Sequence, residues 1–475
     1  MYRKKIAIGI ALLVGATLAA GCGGNHDAAS SQESVAAEAS SQTEADTGEG
    51  TEGSLMVGEN REENTPSQES EENIMTQERM EQAIRKAEVY IKSLTVDSTI
   101  NLPGEIVADE KKYFSWDNEK RTPGDKPYLY DWSYYNGVVM EGLYDIYETD
   151  PEANSEYLEY VKEYLDAMIV SDEKGHKYLS PNLAGYVDCH GADCYKTAAL
   201  LARVGISEQN EDYLQICADL YRDLTDTSYT NTRGHIVPVE YTEEGLGYNY
   251  WHGWADNKAP KYKVWLDGIY MLQPFISRYA AETGDTEQLA LVQNRLDWVR
   301  ETMLAPDGMY WHAANSADDL CKYHWTRAMG WYGMAMVDVM EVMPEEYLED
   351  RKEALKVFVD GVLKYQDESG LWANVADWEI TDTNRLEVSG TSMMVYTILK
   401  GVRNGWLDES YKEAAVKAFV AMTELKLDEE GLHDIYFKAT ADNTDNYQDP
   451  EFYLTDEGKG SGPFIMAYSE MLKMD

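Results

Sequence analysis

Residues 264–271 read Val264-Trp265-Leu266-Asp267-Gly268-Ile269-Tyr270-Met271, and they set a carboxylate beside an indole. An extended polar stretch ends here and a strongly apolar helix begins. The helix dipole stabilises a carboxylate in the first turn, and a neighbouring aromatic side chain shields it from water. The stretch therefore predicts a general acid of the kind that faces a sugar.

The same change from loop to apolar helix recurs along the chain, and this recurrence indicates the fold. Each start follows a loop rich in Gly, Trp, Tyr or His. The six starts lie near Asp131, Asp193, Asp267, Arg327, Ser389 and Ser461. Between them lie six amphipathic stretches whose apolar residues recur every three or four positions, at 80–91, 157–168, 213–221, 289–303, 355–365 and 411–422.

A helix that is apolar nearly all round lies inside a fold, whereas a helix with one apolar stripe lies outside it. Twelve helices that alternate outer and inner predict an all-α fold, an (α/α)6 barrel in the form of a closed two-layer toroid. Short hairpins are predicted at one rim, because five of the six repeats carry a Gly turn between outer and inner helix, at Gly175, Gly234, Gly308, Gly370 and Gly431. All inner helices would start at this rim, and their unpaired N–H groups favour an anion there.

The first 75 residues differ in composition from the rest. Residues 1–21 are predicted to be a lipoprotein signal peptide, because a short apolar run follows basic residues and ends in the lipobox Leu18-Ala19-Ala20-Gly21-Cys22. Cys22 would carry the lipid, and a transmembrane anchor is the alternative. Residues 22–75 contain few large apolar side chains, which predicts a disordered acidic tether. The catalytic barrel would occupy residues 76–475, on the extracellular side of a bacterial membrane.

The formal net charge of −45 argues against a nucleic-acid partner, because phosphate binding needs surfaces rich in Lys and Arg. It does not exclude an anionic sugar, since a bound carboxylate responds to its immediate neighbours rather than to net charge. We expect no cofactor and no metal, and the oligomeric state is left open.

The stretch Asp188-Cys189-His190-Gly191-Ala192-Asp193-Cys194 combines potential metal ligands, but no second Cys/His pair with ligand spacing follows. A structural metal and a Cys189–Cys194 disulfide both stay open as alternatives. The favoured interpretation is a loop that enters the second inner helix. Asp193 would then be a helix cap, the second acid of the site, or both.

The stretch His324-Trp325-Thr326-Arg327-Ala328-Met329-Gly330-Trp331-Tyr332 places an Arg between two indoles. A guanidinium can bind a carboxylate through two parallel hydrogen bonds, and indoles stack on pyranose rings. An Arg at a helix start opposes the helix dipole, and such local conflicts are expected at functional sites. The alternative is a set of core aromatics with a solvated Arg.

Four motifs together resemble the unsaturated rhamnogalacturonyl hydrolases. They are Val264-Trp265-Leu266-Asp267-Gly268, the stretch from Trp325 to Tyr332, Glu387-Val388-Ser389-Gly390-Thr391-Ser392 and Gly460-Ser461-Gly462-Pro463. The resemblance extends from about Asp131 to the C-terminus. The sister family of unsaturated glucuronyl hydrolases shares the barrel. The Arg-Ala-Met-Gly-Trp-Tyr motif, however, favours the unsaturated rhamnogalacturonyl hydrolases, which act on pectin.

The resemblance implies an (α/α)6 barrel that acts on sugars with a C4=C5 double bond. Asp267 would donate a proton to C4 and then activate the water that adds at C5. Burial beside Trp265 would keep this carboxyl protonated near neutral pH. Asp193 would be the second carboxylate of the site. The residues that would line the sugar pocket are Trp265, Trp325, Arg327, Trp331, His312, Asn136 and, with the weakest match, His252.

Three alternatives stay open beside the removal of unsaturated galacturonyl residues. The chain could be an unsaturated glucuronyl hydrolase that acts on glycosaminoglycan fragments. It could be an inverting glycosidase that uses Asp193 and Asp267 on a saturated glycan. It could also be a surface lipoprotein that binds glycans without turnover.

Overall fold

The computed structural model describes residues 76–96, 132, 134–171, 173–179, 192–225, 262, 264–441 and 444–474. These residues contain twelve α-helices, which we number in chain order. The odd-numbered helices are α1 Gln77–Val96, α3 Ser155–Ala167, α5 Glu211–Thr225, α7 Thr286–Met303, α9 Glu345–Leu363 and α11 Lys412–Leu425. The even-numbered helices are α2 Tyr134–Thr149, α4 Lys196–Glu208, α6 Leu266–Thr283, α8 Thr326–Met340, α10 Val388–Arg403 and α12 Gly458–Leu472.

The even-numbered helices form a closed inner ring. Each packs against the next even-numbered helix, and α12 packs back against α2. Each odd-numbered helix from α3 to α11 packs against the inner helix that precedes it, while α1 packs against α11 and α12. The predicted (α/α)6 toroid is confirmed.

Burial explains which helices lie inside. Every residue of α8 is buried, because the helix has neighbours on all sides. Outer helix α5 instead buries one stripe, formed by Tyr213, Ile216, Cys217 and Leu220. This difference follows from the apolar pattern of each helix, and it separates the two layers as expected.

The inner helices begin within one turn of the predicted positions. Their first residues are Tyr134, Lys196 after a 3-10 helix at Ala192–Tyr195, Leu266, Thr326, Val388 and Gly458. The end of the ring where these helices begin is called the mouth below.

Short strands lie in the connections between helices. Strand β1 (Ile169–Ser171) forms a hairpin with β2 (Lys177–Leu179), and β8 (Leu427–Asp428) forms one with β9 (Gly431–Leu432). Gly175 at φ 81° lies in the first turn and Gly431 at φ 131° directly follows the second, and a side chain would be strained at both. The predicted hairpin turns are confirmed at these two positions.

The other predicted turns differ. A single bridge between Leu304 and Tyr310 flanks Gly308, and Gly370 precedes a strand that pairs further along the chain. The Gly308 turn is therefore a minimal hairpin, closed by the Ala305 amide donating to the Met309 carbonyl oxygen at 2.8 Å, whereas no bridge flanks the Gly370 turn among the described residues. Gly234 lies outside the described residues.

The remaining strands lie in the connections at the mouth. Strands β3 (Val264–Trp265), β4 (Ala313–Ser316) and β5 (Asp319–Cys321) form one antiparallel sheet, and the pairing of β3 with β4 joins two neighbouring repeats. The other two antiparallel pairs are β6 (Trp372–Ala373) with β7 (Leu386–Glu387), and β10 (Ile435–Tyr436) with β11 (Tyr453–Leu454).

Charged side chains from the C-terminal halves of the inner helices pair with one another at the opposite end of the ring. Burying a charge is costly unless an opposite charge compensates it, and here each charge has a close partner. The pairs are Arg203–Asp145 at 2.6 Å, Lys400–Asp338 at 2.7 Å and Arg403–Glu470 at 2.7 Å.

The predicted signal peptide, Cys22 and the tether lie outside the described residues. None of the helices in the described ranges combines the length and the apolarity that a membrane span requires.

Candidate active site

Strand pairing brings Asp267 and His312 together at the mouth. Trp265 of β3 pairs with Ala313 of β4, and the Leu266 amide donates to the His312 carbonyl oxygen at 3.1 Å. Asp267 follows in the first turn of α6. As a result, the Asp267 Oδ2 lies 3.2 Å from the His312 Nε2, with His312 fully buried and Asp267 9 % exposed.

Two indoles hold the imidazole of His312 in place. The Trp265 ring meets it edge to face at 5.1 Å, and the Trp325 ring lies 5.0 Å away. The Trp265 Nε1 donates to the Tyr262 carbonyl oxygen at 2.9 Å, so that its ring is itself fixed. Buried aromatic surface therefore surrounds the carboxylate–imidazole pair.

A tyrosine from a distant loop closes the site behind His312. The Tyr447 hydroxyl shares a hydrogen bond with the His312 Nδ1. Tyr447 ends the 3-10 helix Thr444–Tyr447, is fully buried, and stacks on Tyr323 at 4.5 Å. Burial raises the pKa of Tyr447 well above its usual value, so the hydroxyl keeps its proton.

Arg327 lies in the first turn of α8, and its guanidinium forms hydrogen bonds with backbone carbonyl groups of the protein. It donates to the carbonyl oxygens of Tyr436 and Phe437, the latter at 2.9 Å. The same group lies 4.5 Å from the centre of the Trp325 ring. Binding of a sugar carboxylate by Arg327 stays a prediction, and these contacts give the residue a structural role as well.

Trp331 lies deeper in the ring. Its indole stacks on Tyr270 at 5.0 Å, and the edge of Tyr134 meets it at 6.4 Å. Trp265, Trp325 and Trp331 are all buried, so contact of each with a sugar also stays a prediction.

The short helix that carries the second predicted carboxylate packs beside the site. Asp193 is half-buried on the 3-10 helix Ala192–Tyr195, which packs against α6, the helix of Asp267. The cap residue of α4 is Tyr195, and its side chain makes no capping hydrogen bond. Asn136 is fully buried in the first turn of α2. His252, Cys189 and the side chain of Cys194 lie outside the described residues.

Comparison with known proteins decides the family. The sequence profile described as Glycosyl Hydrolase Family 88 matches residues 107–475. The chain belongs to glycosyl hydrolase family 88. It is therefore a glycoside hydrolase of the unsaturated uronyl hydrolase type, and the family resemblance seen in the sequence is confirmed.

Alignments with individual relatives include different fractions of this family 88 hydrolase. A 24.9 kDa protein in the picA locus of Rhizobium radiobacter is 31% identical over 226 residues, which is 42% of this chain and 97% of that protein. An unsaturated 3S-rhamnoglycuronyl hydrolase from Formosa agariphila is 24% identical over 243 residues, 47% of this chain and 62% of that enzyme. A solved family 105 glycoside hydrolase from C. acetobutylicum is 25% identical with a TM-score of 0.60, covering 80% of this chain and 100% of its own.

The geometry of this family 88 hydrolase suits proton transfer. One oxygen of the Asp267 carboxyl lies 3.2 Å from an imidazole nitrogen, so His312 can stabilise electrostatically the charge that appears when Asp267 loses a proton. The sequence pointed to Asp267, His312, Trp265 and Trp325, and the structure brings these four side chains together. It did not point to Tyr447, because a lone Tyr in a polar loop carries no signal of the residue that it will meet.

Proposed function

We propose that this family 88 hydrolase removes a Δ4,5-unsaturated galacturonyl residue from the non-reducing end of rhamnogalacturonan or pectin oligosaccharides. The observation that supports it most is the Asp267 carboxyl at the start of an inner helix, 3.2 Å from a buried imidazole. The relative named as an unsaturated 3S-rhamnoglycuronyl hydrolase supports a uronyl unit attached to rhamnose. A lipid on Cys22 would hold the enzyme at the outer face of the membrane.

In the proposed reaction Asp267 acts first as an acid and then as a base. Its proton goes to C4 of the vinyl ether, and the positive charge that develops is shared between C5 and the ring oxygen. A water molecule then adds at C5 and returns a proton to the Asp267 carboxylate. The resulting hemiketal opens, and the next sugar is released. One acid that becomes its own conjugate base is enough, so the reaction needs no separate nucleophile.

The experiment compares wild type with Asp267→Asn on unsaturated rhamnogalacturonan and unsaturated chondroitin disaccharides. Loss of the ultraviolet absorbance of the C4=C5 bond measures turnover. We expect turnover of the first substrate by wild type and a loss of roughly 10²- to 10⁴-fold in kcat for Asp267→Asn, the usual contribution of a positioned general acid. Asp382→Asn is the matched control, because Asp382 is an exposed carboxylate in the loop between β6 and β7.

Each contrary result has a defined meaning. Turnover of only the chondroitin product would move the substrate to the glucuronyl class. Activity on a saturated glycoside, with none on lyase products, would replace the vinyl-ether reaction with ordinary glycoside inversion. Glycan binding without turnover in either form would leave a binding protein, and undiminished turnover by Asp267→Asn would remove Asp267 from the mechanism.

A further inference from the structure

The hydrogen bonds behind His312 decide where its ring proton lies. Two acceptors are near the Tyr447 hydroxyl: the His312 Nδ1 and the Cys321 Sγ, the latter at 3.7 Å. Sulfur is the weaker acceptor, and the nitrogen is much the closer atom. The Cys321 thiol has the Ala441 carbonyl oxygen as its own acceptor at 3.7 Å. The tyrosine proton is therefore directed at Nδ1.

A neutral imidazole that accepts a hydrogen bond at Nδ1 carries its proton on Nε2. The His312 Nε2–H then lies beside the Asp267 Oδ2, 3.2 Å from it in an electrostatic contact. An N–H beside Oδ2 opposes a second proton on that oxygen, so the proton that Asp267 delivers is favoured on its other oxygen, Oδ1. The conjugate base left after delivery is stabilised by the same Nε2–H.

We propose that Tyr447 is a positioning residue that fixes His312 in the Nε2-protonated form, so that Asp267 holds its reactive proton on Oδ1. The inference rests on the proposed function for its catalytic meaning. Its structural part, the tautomer of His312, can be measured independently of any substrate.

Tyr447 is well placed for this role because a side chain of the fifth repeat binds its backbone. The Asn374 Nδ2 donates to the Tyr447 carbonyl oxygen at 3.0 Å, while the Asn374 Oδ1 accepts from the Trp325 Nε1 at 2.9 Å. Asn374 lies between α9 and α10, and Tyr447 between α11 and α12. Asn374 of the fifth repeat thus holds Tyr447 of the sixth. Tyr447 in turn orients the His312 imidazole of the fourth repeat beside Asp267 of the third.

The test compares Tyr447→Phe with Tyr436→Phe. Phenylalanine keeps the ring that stacks on Tyr323 and removes only the hydroxyl. Tyr436 is the matched control, because its hydroxyl donates to the Asn446 carbonyl oxygen at 2.5 Å and accepts from the Asp449 amide at 2.9 Å. It holds the same loop without touching His312.

The first readout is the tautomer of His312, from nitrogen-15 spectra of histidine-labelled protein. The His312 signals are assigned as those lost in His312→Gln among the eight histidines. Wild type and Tyr436→Phe should show the proton on Nε2, whereas Tyr447→Phe should show a mixture of both forms. A proton on Nδ1 in wild type, or an unchanged spectrum in Tyr447→Phe, would overturn the proposal.

The second readout is the pH profile of turnover. Tyr447→Phe should lower kcat by about tenfold or more with little change in KM, as expected when an orienting partner is removed. The alkaline limb should move to higher pH, because Asp267 can then retain its proton between Oδ2 and Nε2. Thermal unfolding reports whether either variant is folded. If Tyr436→Phe reproduced the shifted profile, loop packing rather than the Tyr447 hydrogen bond would be responsible, and the proposal would be wrong.

The two readouts separate the two hypotheses. If wild type turns over no unsaturated substrate, the proposed function fails, while the spectra still support or reject the role of Tyr447 on His312.

Discussion

Arg327 at the mouth makes structural contacts through its guanidinium. The sequence suggests a carboxylate-binding Arg between two indoles. In the fold, its guanidinium donates to the carbonyl oxygens of Tyr436 and Phe437 and lies over Trp325. A planar fork can reach two carbonyls while stacking on a ring, and a single ammonium cannot. The local conflict with the helix dipole is therefore compensated by tertiary hydrogen bonds.

Arg327→Lys should lower the free energy of unfolding by about 1.5–3 kcal/mol, the usual value of a hydrogen bond to a charged group. Chemical denaturation measures this change. Arg385→Lys is the control, because Arg385 also lies over a ring, that of Tyr453, and forms a half-exposed ion pair with Asp434. Exposed pairs contribute little. Equal losses in the two variants would contradict the structural role of Arg327, and a selective rise in KM for Arg327→Lys would support an additional contact with substrate.

At the scale of one element, a buried carboxylate begins inner helix α10. Glu387 accepts from the backbone amides of Ser389 at 2.9 Å and Gly390 at 2.8 Å, and from the Tyr436 amide at 3.0 Å. It satisfies two free amides of the helix and ties the helix start to β10. The motif that begins at Glu387 therefore has a structural reason beyond any contact with sugar.

Glu387→Gln should destabilise the protein by about 1–3 kcal/mol, because a neutral amide accepts more weakly and presents its own NH₂ to buried donors. The shift in the denaturation midpoint measures the effect. Asp408→Asn is the control at the exposed 3-10 helix Glu409–Tyr411, where Asn and Asp cap almost equally well. If the two variants lost the same stability, the buried cap at Glu387 would contribute no more to stability than an exposed cap.

Ion pairs at the end of the inner ring opposite the mouth link several inner helices. Lys400 contacts Asp338 at 2.7 Å and Glu341 at 3.0 Å. Glu341 lies at the surface with 29 % of its side chain exposed, so its partial desolvation opposes ionisation only in part; the positive charges of Lys400 and Arg278 outweigh it and lower its pKa to about 2, against a usual 4.5. A carboxyl whose pKa is lowered in the folded state adds stability above pH 4.5, and this stability is lost as the pH falls toward 2.

Lys400→Met should destabilise the protein by about 3–5 kcal/mol at pH 7, because it leaves a buried carboxylate without its partner. Thermal unfolding at several pH values measures the difference from wild type, which should narrow between pH 4.5 and 2 as the contribution of Glu341 disappears in wild type too. Lys352→Met, at an exposed pair with Glu349, is the control and should change little. If the difference in stability between Lys400→Met and wild type did not depend on pH, packing of the Lys400 aliphatic stem rather than its charge would account for the loss of stability.

The fold could be predicted because its signal is local. Apolar residues that recur every three or four positions define a helix face, and the number of apolar faces tells inner helices from outer ones. The Gly turns at Gly175 and Gly431 were likewise visible, since positive φ favours a residue without a side chain. At Gly308 the expected hairpin is as short as one antiparallel bridge, and the strand after Gly370 pairs with β7 instead, because local turn chemistry does not determine which strand a neighbour will pair with.

The twelve-helix toroid, the family and the placement of Asp267 beside an indole could all be predicted from the order of residues along the chain. The groups that surround the Asp267 carboxyl become apparent in the folded protein alone. His312 lies 45 residues along the chain from Asp267, and Tyr447 lies a further 135 residues away. Helix periodicity depends on neighbours within one or two turns, whereas these contacts exist only after the ring has closed and brought the third, fourth and sixth repeats to one mouth.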